Sequence, residues 1–323
     1  MDQLIISAKR FNLRLFPSSR TGATTDGEGQ FATETEKLRE SWTTHPAEEL
    51  DNYLVVGYHN PRINAQSILV RHFLVEKVFG TRFDDLAKEE LKLCVSASAT
   101  LRRKLNGIFL RFGSTQRLAA AAAKLNGPEE EQMESRWRES LAGQTVSRAS
   151  LLELACEYAN NFRFLHSYGL ANHLDYVGID LSEDNIANAR RSFPGIDFRV
   201  ANALDLPCKD GAFDYVLAFD VLEHLAIQAM DKAIAEATRV ARKGVIFAFF
   251  NTVDEDQHAE LPFRKYHVNQ LSRKQIEDSL CARLPNIRAT HIPTFLRDHY
   301  GRTPTIRGRG TLLRRPPADL PYN

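Results

Sequence analysis

LLELACEYANNFRFLHSYGLANHLDYVGIDLSEDNIANARRSFPGIDFRVANALDLPCKDGAFDYVLAFDVLEHL, residues 151–225, is the stretch that decides the fold. Short apolar runs (LLELAC, LDYVGID, IDFRV, FDYVLAF) alternate with helix-length segments (NNFRFLHSYGL, SEDNIANARRSF), and the pattern continues through AIQAMDKAIAEATRVAR to GVIFAFF. Each run is bounded by turn or capping residues, and Ser182 stands as an N-cap ahead of first-turn acids. Strands alternating with helices bury a sheet on both faces, so the expectation is a doubly wound, mostly parallel sheet. Two weaker strands are expected further on, NIRATHIP and RGTLLRRP, both ending at prolines.

Upstream the texture is helical. INAQSILVRHFLVEKVF (63–79) places apolar residues near helical spacing and stops at Gly80. FDDLAKEELKLCVSASATLRRKLNG opens with acids and closes with basic residues, matching the helix dipole. RLAAAAAKLNG and EEEQMESRWRESLAG add further helical pattern. TGATTDGEGQ (21–30) is small, polar and aperiodic, and reads as a flexible linker. The expected organisation is an N-terminal segment with linker (1–40), a helical lid or substrate-binding region (41–145) and an α/β domain with a seven-stranded sheet (146–323).

Composition narrows the function classes. A net charge of +1 offers no global reason to expect nucleic acid. The local exception is the stretch from Arg288 to Arg315, with seven arginines against one acid, Asp298. It reads as a solvated face or as an anion-attracting surface. No apolar run is long enough to span a bilayer, and MDQLIISAKRFNLRLF lacks a leader's long apolar core, so a cytoplasmic protein without membrane attachment is expected. Cys94, Cys156, Cys208 and Cys281 show no C-x-x-C pairing and are expected to be reduced, mostly buried thiols rather than metal ligands.

In a doubly wound sheet, ligands sit beyond the carboxyl ends of the strands, where strand order reverses. The loops after LLELAC, YVGID, FRVANA and VLAFD therefore hold the candidates. Their order, with acid Glu153 in the first strand, Asp180 ending the second, VANALDLP after the third and DVLEHL after the fourth, resembles the class I S-adenosylmethionine-dependent methyltransferases. The resemblance covers about half the chain and implies S-adenosylmethionine as cofactor. It places Asp180, followed by Leu181, on the ribose, since a strand-tip carboxylate accepts hydroxyl donors. It places Asn202 and the Ala203 amide on the adenine, and Asp220 and Val221 beside the methionine part. Each has a plainer alternative. Asp180 could cap the next helix, Asn202 could close a turn, and Glu153 could be a buried carboxylate bonded to its surroundings. His224 is either a general base or a packing histidine.

The family's glycine-rich turn is replaced here by Ala155-Cys156-Glu157-Tyr158-Ala159-Asn160. Glycine serves such a turn because the backbone takes unusual torsions and approaches the ligand closely. Ala155 and Ala159 are small departures, whereas Glu157 sets a carboxylate where the cofactor's amino-acid end would pass. Methyl transfer to a small-molecule acceptor is the expected activity, with an inactive methyltransferase-like scaffold or partner subunit as the alternative. A homo-oligomer is compatible with the sequence, and nucleic acid is not the expected partner. Polar residues His59, Asn60, Arg62 and Asn64, and later His258, Tyr266, His267 and Asn269, are further candidates to line a pocket or simply to cap and pack.

Overall fold

The computed structural model describes residues 3–9, 65–93, 128–260, 262–263, 266–267, 269–284 and 286–300. In chain order the elements are β1 (Gln3–Lys9), α1 (Ala65–Phe79), α2 (84–93), α3 (Pro128–Leu141), β2 (Ala149–Leu154), α4 (Asn160–Ser167), β3 (Leu174–Asp180), α5 (Glu183–Ser192), β4 (Asp197–Val200), β5 (Phe213–Phe219), α6 (Ile227–Val240), β6 (Ala241–Val253), β7 (Pro262–Phe263), β8 (Tyr266–His267), β9 (Leu271–Ser272), α7 (Arg273–Arg283), β10 (Ile287–His291) and α8 (Ile292–Tyr300). The proposed linker, the alanine run, Cys94, residues 59–64 and the RGTLLRRP strand all lie outside the described residues.

The main sheet runs β10-β1-β6-β5-β2-β3-β4, and β9 adds an eighth strand beside β6. Every pairing in it is parallel. The chain starts this core at β2, winds outward through β3 and β4, then returns to the other side of β2 with β5 and β6. The reversal falls between β2 and β5, so a crevice opens where their carboxyl ends diverge. The apolar runs read from the sequence all become strands, and NIRATHIP becomes β10.

One strand comes from an unexpected place. Gln3–Lys9 lies between β6 and β10, pairing Leu4 with Ile246 on one side and Arg288 on the other. The sheet thus draws on the first residues of the chain as well as on 146–323. Its LIIS core has the β-branched character of a strand, yet nothing local tells a reader where a lone apolar run will pair.

The strands alternate between two cores. Leu151, Tyr215, Leu217, Ile246 and Ala248 face the layer containing α1–α5, while Leu152, Leu154, Val216, Ala218, Val245, Phe247 and Phe249 face α6 and α7. The described helices of the 41–145 segment therefore share the main core, lying on the flank of the sheet with α4 and α5. A buried ion cluster knits them in. Arg71 on α1 donates to Glu90 on α2, whose carboxylate also meets His72 Nε2 at 2.5 Å and accepts from Trp137 Nε1 of α3 at 2.9 Å. The Arg71 guanidinium lies 3.7 Å from the Tyr168 ring centroid, close to Phe164 of α4 as well. Burial pushes the His72 pKa down despite the adjacent Glu90, so the cluster holds one cation against one anion.

Candidate functional site

Four loops meet at the crevice. The first follows β2, and it decides whether a ligand can approach. Ala155, Glu157 and Ala159 all have left-handed backbones, with φ of 53°, 49° and 64°. These are the three positions where glycine was expected, so the turn keeps a glycine-type path with side chains attached. Each Cβ in that region costs roughly 1–2 kcal/mol, so the surrounding contacts must hold the loop in place. Those contacts are visible: Cys156 N–H donates to the Ile179 carbonyl at 2.9 Å, and Glu157 N–H donates to Asp180 Oδ2 at 3.0 Å.

Asp180 is the hub. It ends β3 and is 8% exposed, and besides Glu157 it accepts from Ser182 N–H at 2.8 Å and Asn185 Nδ2 at 3.1 Å through Oδ1. A carboxylate offers about four acceptor positions, so about one remains on Oδ2 for an incoming hydroxyl. The cap of α5 is Ser182, whose hydroxyl accepts from Asn185 N–H at 3.3 Å, so Asp180 braces the residues at the helix start without capping it. Leu181, beside it, is 73% exposed, an apolar side chain left open at the strand tip.

Glu153 lies beneath the loop, 1% exposed. Asn161 Nδ2 donates to it at 2.6 Å and the Tyr176 hydroxyl closes on its other oxygen. Burial raises its pKa to about 7 in spite of those two bonds. Its position is that of a support for the turn, in line with the buried-carboxylate alternative. Asn161 and Tyr176 were missed in the sequence because they face Glu153 only once β2, β3 and α4 are packed.

After β4, the Asn202 side-chain oxygen accepts from Leu204 N–H at 2.9 Å, an Asx turn. The turn alternative is therefore realised, and Asn202 is exposed with Ala203 beside it. After β5, Asp220 also adopts a left-handed backbone, φ 53°, and its carboxylate lies 3.6 Å from His224 Nε2. His224 Nδ1 contacts the His267 carbonyl at 2.9 Å. With an acceptor at each ring nitrogen, the imidazolium is favoured. Burial opposes the charge, but Asp220, Glu223 and the His267 carbonyl outweigh it and raise the pKa to about 9. Val221 leads into the short turn that carries Glu223 and His224.

The segment after β6 does reach this place. Asn269 is fully buried, donating Nδ2 to the Leu225 carbonyl at 2.6 Å and its N–H to the Glu223 carbonyl at 3.0 Å. It fastens the turn bearing His224. His258 instead accepts from Ser272 N–H, and His267 pairs with Glu260. Of the thiols, Cys156 is buried, Cys208 half-buried and Cys281 exposed, so burial as a rule fails for two of the three described. Among the described residues no group of His, Cys, Asp and Glu could hold a metal ion, and no helix is long and apolar enough to cross a membrane.

Comparison with known proteins gives a match over this region. Residues 152–249 match the family model described as a methyltransferase domain. A probable S-adenosylmethionine-dependent methyltransferase of Mycolicibacterium smegmatis is 30% identical over 106 residues, 32% of this chain and 40% of that protein. The phthiotriol/phenolphthiotriol dimycocerosates methyltransferase of Mycobacterium tuberculosis is 27% identical over 158 residues, 46% of this chain and 57% of its own. The chain thus spans about half the length of these relatives. Among solved structures, the PH0226 protein from Pyrococcus horikoshii OT3 is 24% identical, covering 49% of this chain and 82% of its own at a TM-score of 0.34. Likeness at that score adds no weight to the strand order itself.

Proposed function

We propose that residues 152–249, which match the methyltransferase-domain model, form a class I S-adenosylmethionine-dependent methyltransferase domain, and that the chain transfers a methyl group from S-adenosylmethionine to a small-molecule acceptor. The observation that carries the proposal is the first loop. Its three expected glycines are gone, yet all three replacements hold left-handed torsions and the loop's Glu157 N–H is tied to Asp180. Strained torsions at three positions of one turn are of the kind that gathers at ligand sites, which supports the reading of this loop as a ligand cradle.

The residues present fit the methyl donor. Asp180 Oδ2 has room for one ribose hydroxyl, Leu181 offers an apolar surface for a flat base, and Asn202 with the Ala203 amide lies at the adjoining strand tip. Bound there, S-adenosylmethionine supplies an electrophilic methyl on a good leaving group. The protein's share is then to align the acceptor in line with that methyl and to exclude water. His224 is a cation at neutral pH in this reading, paired with Asp220, and so orients and balances charge rather than taking a proton. The acceptor's proton is left to another group or to solvent.

One relative is named for phthiotriol and phenolphthiotriol dimycocerosates, and a Rauvolfia serpentina enzyme 36% identical over 85 residues is named for ajmaline, neither of them a macromolecule, which supports that acceptor class. The inactive scaffold remains the second reading, favoured by the Glu157 carboxylate in the crevice. Calorimetry separates them. Micromolar binding of S-adenosylmethionine, lost in Asp180→Ala, is expected for an enzyme and justifies an acceptor screen. Absence of binding by the wild type would overturn the proposal.

A further inference from the structure

Glu157 is the one residue of the first loop whose side chain departs strongly from the family pattern, and its surroundings give it a task. It sits at the centre of the turn, between Cys156 and Tyr158, with its backbone anchored on Asp180 and its Oε2 accepting from Asn160 Nδ2 at 3.2 Å. Asp180 and Asp220 from the neighbouring strand tips, together with His224, are the charged groups that bear on its carboxylate. With Glu157 itself, that places three acids and one imidazolium at the tips of β2, β3 and β5, a set that is net negative. A cationic group entering it is attracted.

Resting on the methyl-donor reading above, we infer that Glu157 is a specificity-determining residue that binds the ammonium of the donor's amino-acid end. The loop then exchanges a backbone-only cradle for a charged side chain. S-adenosylmethionine carries a sulfonium, an ammonium and a carboxylate, so its net charge of about +1 complements a negative opening. S-adenosylhomocysteine keeps the ammonium but has lost the sulfonium. 5′-Methylthioadenosine keeps adenine, ribose and the thioether and has no amino-acid end at all.

These three ligands make the test. Calorimetric titration of the full chain and of Glu157→Gln is expected to show S-adenosylmethionine and S-adenosylhomocysteine weakened about tenfold, the magnitude of one charge-assisted hydrogen bond. Methylthioadenosine should bind both proteins within about twofold. Glu157→Gly, which also relieves the left-handed torsion, should lose the amino-acid-bearing ligands in the same way, so the effect is not one of loop strain. Tighter binding of those ligands to either variant, or an equal loss for all three ligands, would overturn the role given to Glu157. If the wild type binds none of the three while its thermal melt shows a folded protein, the methyl-donor reading itself falls, and the inference with it.

Discussion

Gly178 lies in the middle of β3, between Glu153 of β2 and Phe198 of β4, directly under the first loop. A Cβ added there would stand 2.8 Å from Phe198 Cδ1 and 2.9 Å from both Cys156 Sγ and Phe198 Cε1. Ordinary contacts are about 3.5–4.0 Å, so each neighbour must retreat by more than half an ångström. Neither has room. Phe198 is 1% exposed and held edge-on by Phe162 and Tyr176, and Cys156 is 2% exposed and tied by its N–H to Ile179. Overpacking of a closed core costs about 1–3 kcal/mol, and with two trapped neighbours Gly178→Ala should fall in the upper half of that range. Urea denaturation followed by circular dichroism measures it. Because the strain is shared with Sγ, Cys156→Ala in the same chain should return at least about 0.5 kcal/mol beyond additivity. Displacing Cys156 should also weaken donor binding, since Ala155 and Glu157 flank it. A loss below about 0.5 kcal/mol in the single variant, or strict additivity in the double, would refute the reasoning.

Other outcomes follow from the same contacts. Glu90→Ala leaves the buried Arg71 guanidinium without its anion and takes the acceptor from Trp137, so a loss of about 3–5 kcal/mol is expected in chemical denaturation, and a loss under about 1 kcal/mol would show the cluster to be solvated. Ala155→Gly removes a Cβ from a left-handed position at the expense of unfolded-state freedom. The two terms nearly cancel, leaving a change between zero and about 1 kcal/mol on the stabilising side, and a clear loss in the melt would contradict the torsion argument. His224 has its pKa raised from 6.5 to about 9, so the stability it contributes is fully present below about 6.5 and disappears as pH rises through 9. Wild type and Asp220→Asn should therefore differ most near neutral pH and converge above about 9; a constant gap across that range would count against the ion pair. Glu153, raised to about 7 by burial, makes the fold lose stability as pH climbs from 4.5 to 7, a slope that Glu153→Gln should abolish.

Periodicity and strand-end acids were enough to read the core of this protein from its residues. LLELAC, LDYVGID and FDYVLAF are short, apolar and flanked by capped helices, so strand, helix and order follow from local pattern, and with them the position of Asp180 at a strand tip. The chemistry of Glu157 as a departure was legible too, because a missing glycine is a statement about one position. What the tertiary structure decided depends on groups far apart in sequence. The Gln3–Lys9 strand finds its place only by pairing with Ile246 and Arg288. Arg71, Glu90 and Trp137 become one cluster only when three helices pack, which puts the described helices on the flank of the sheet. His224 reads in sequence as a general base or a packing histidine, and only the fold brings the His267 carbonyl, 43 residues away, onto its Nδ1 while Asp220 lies by its Nε2. Local pattern fixes what a segment is, because backbone and neighbours determine it. Which charges and torsions a site tolerates is set by long-range contacts, and these exist only after the chain has folded.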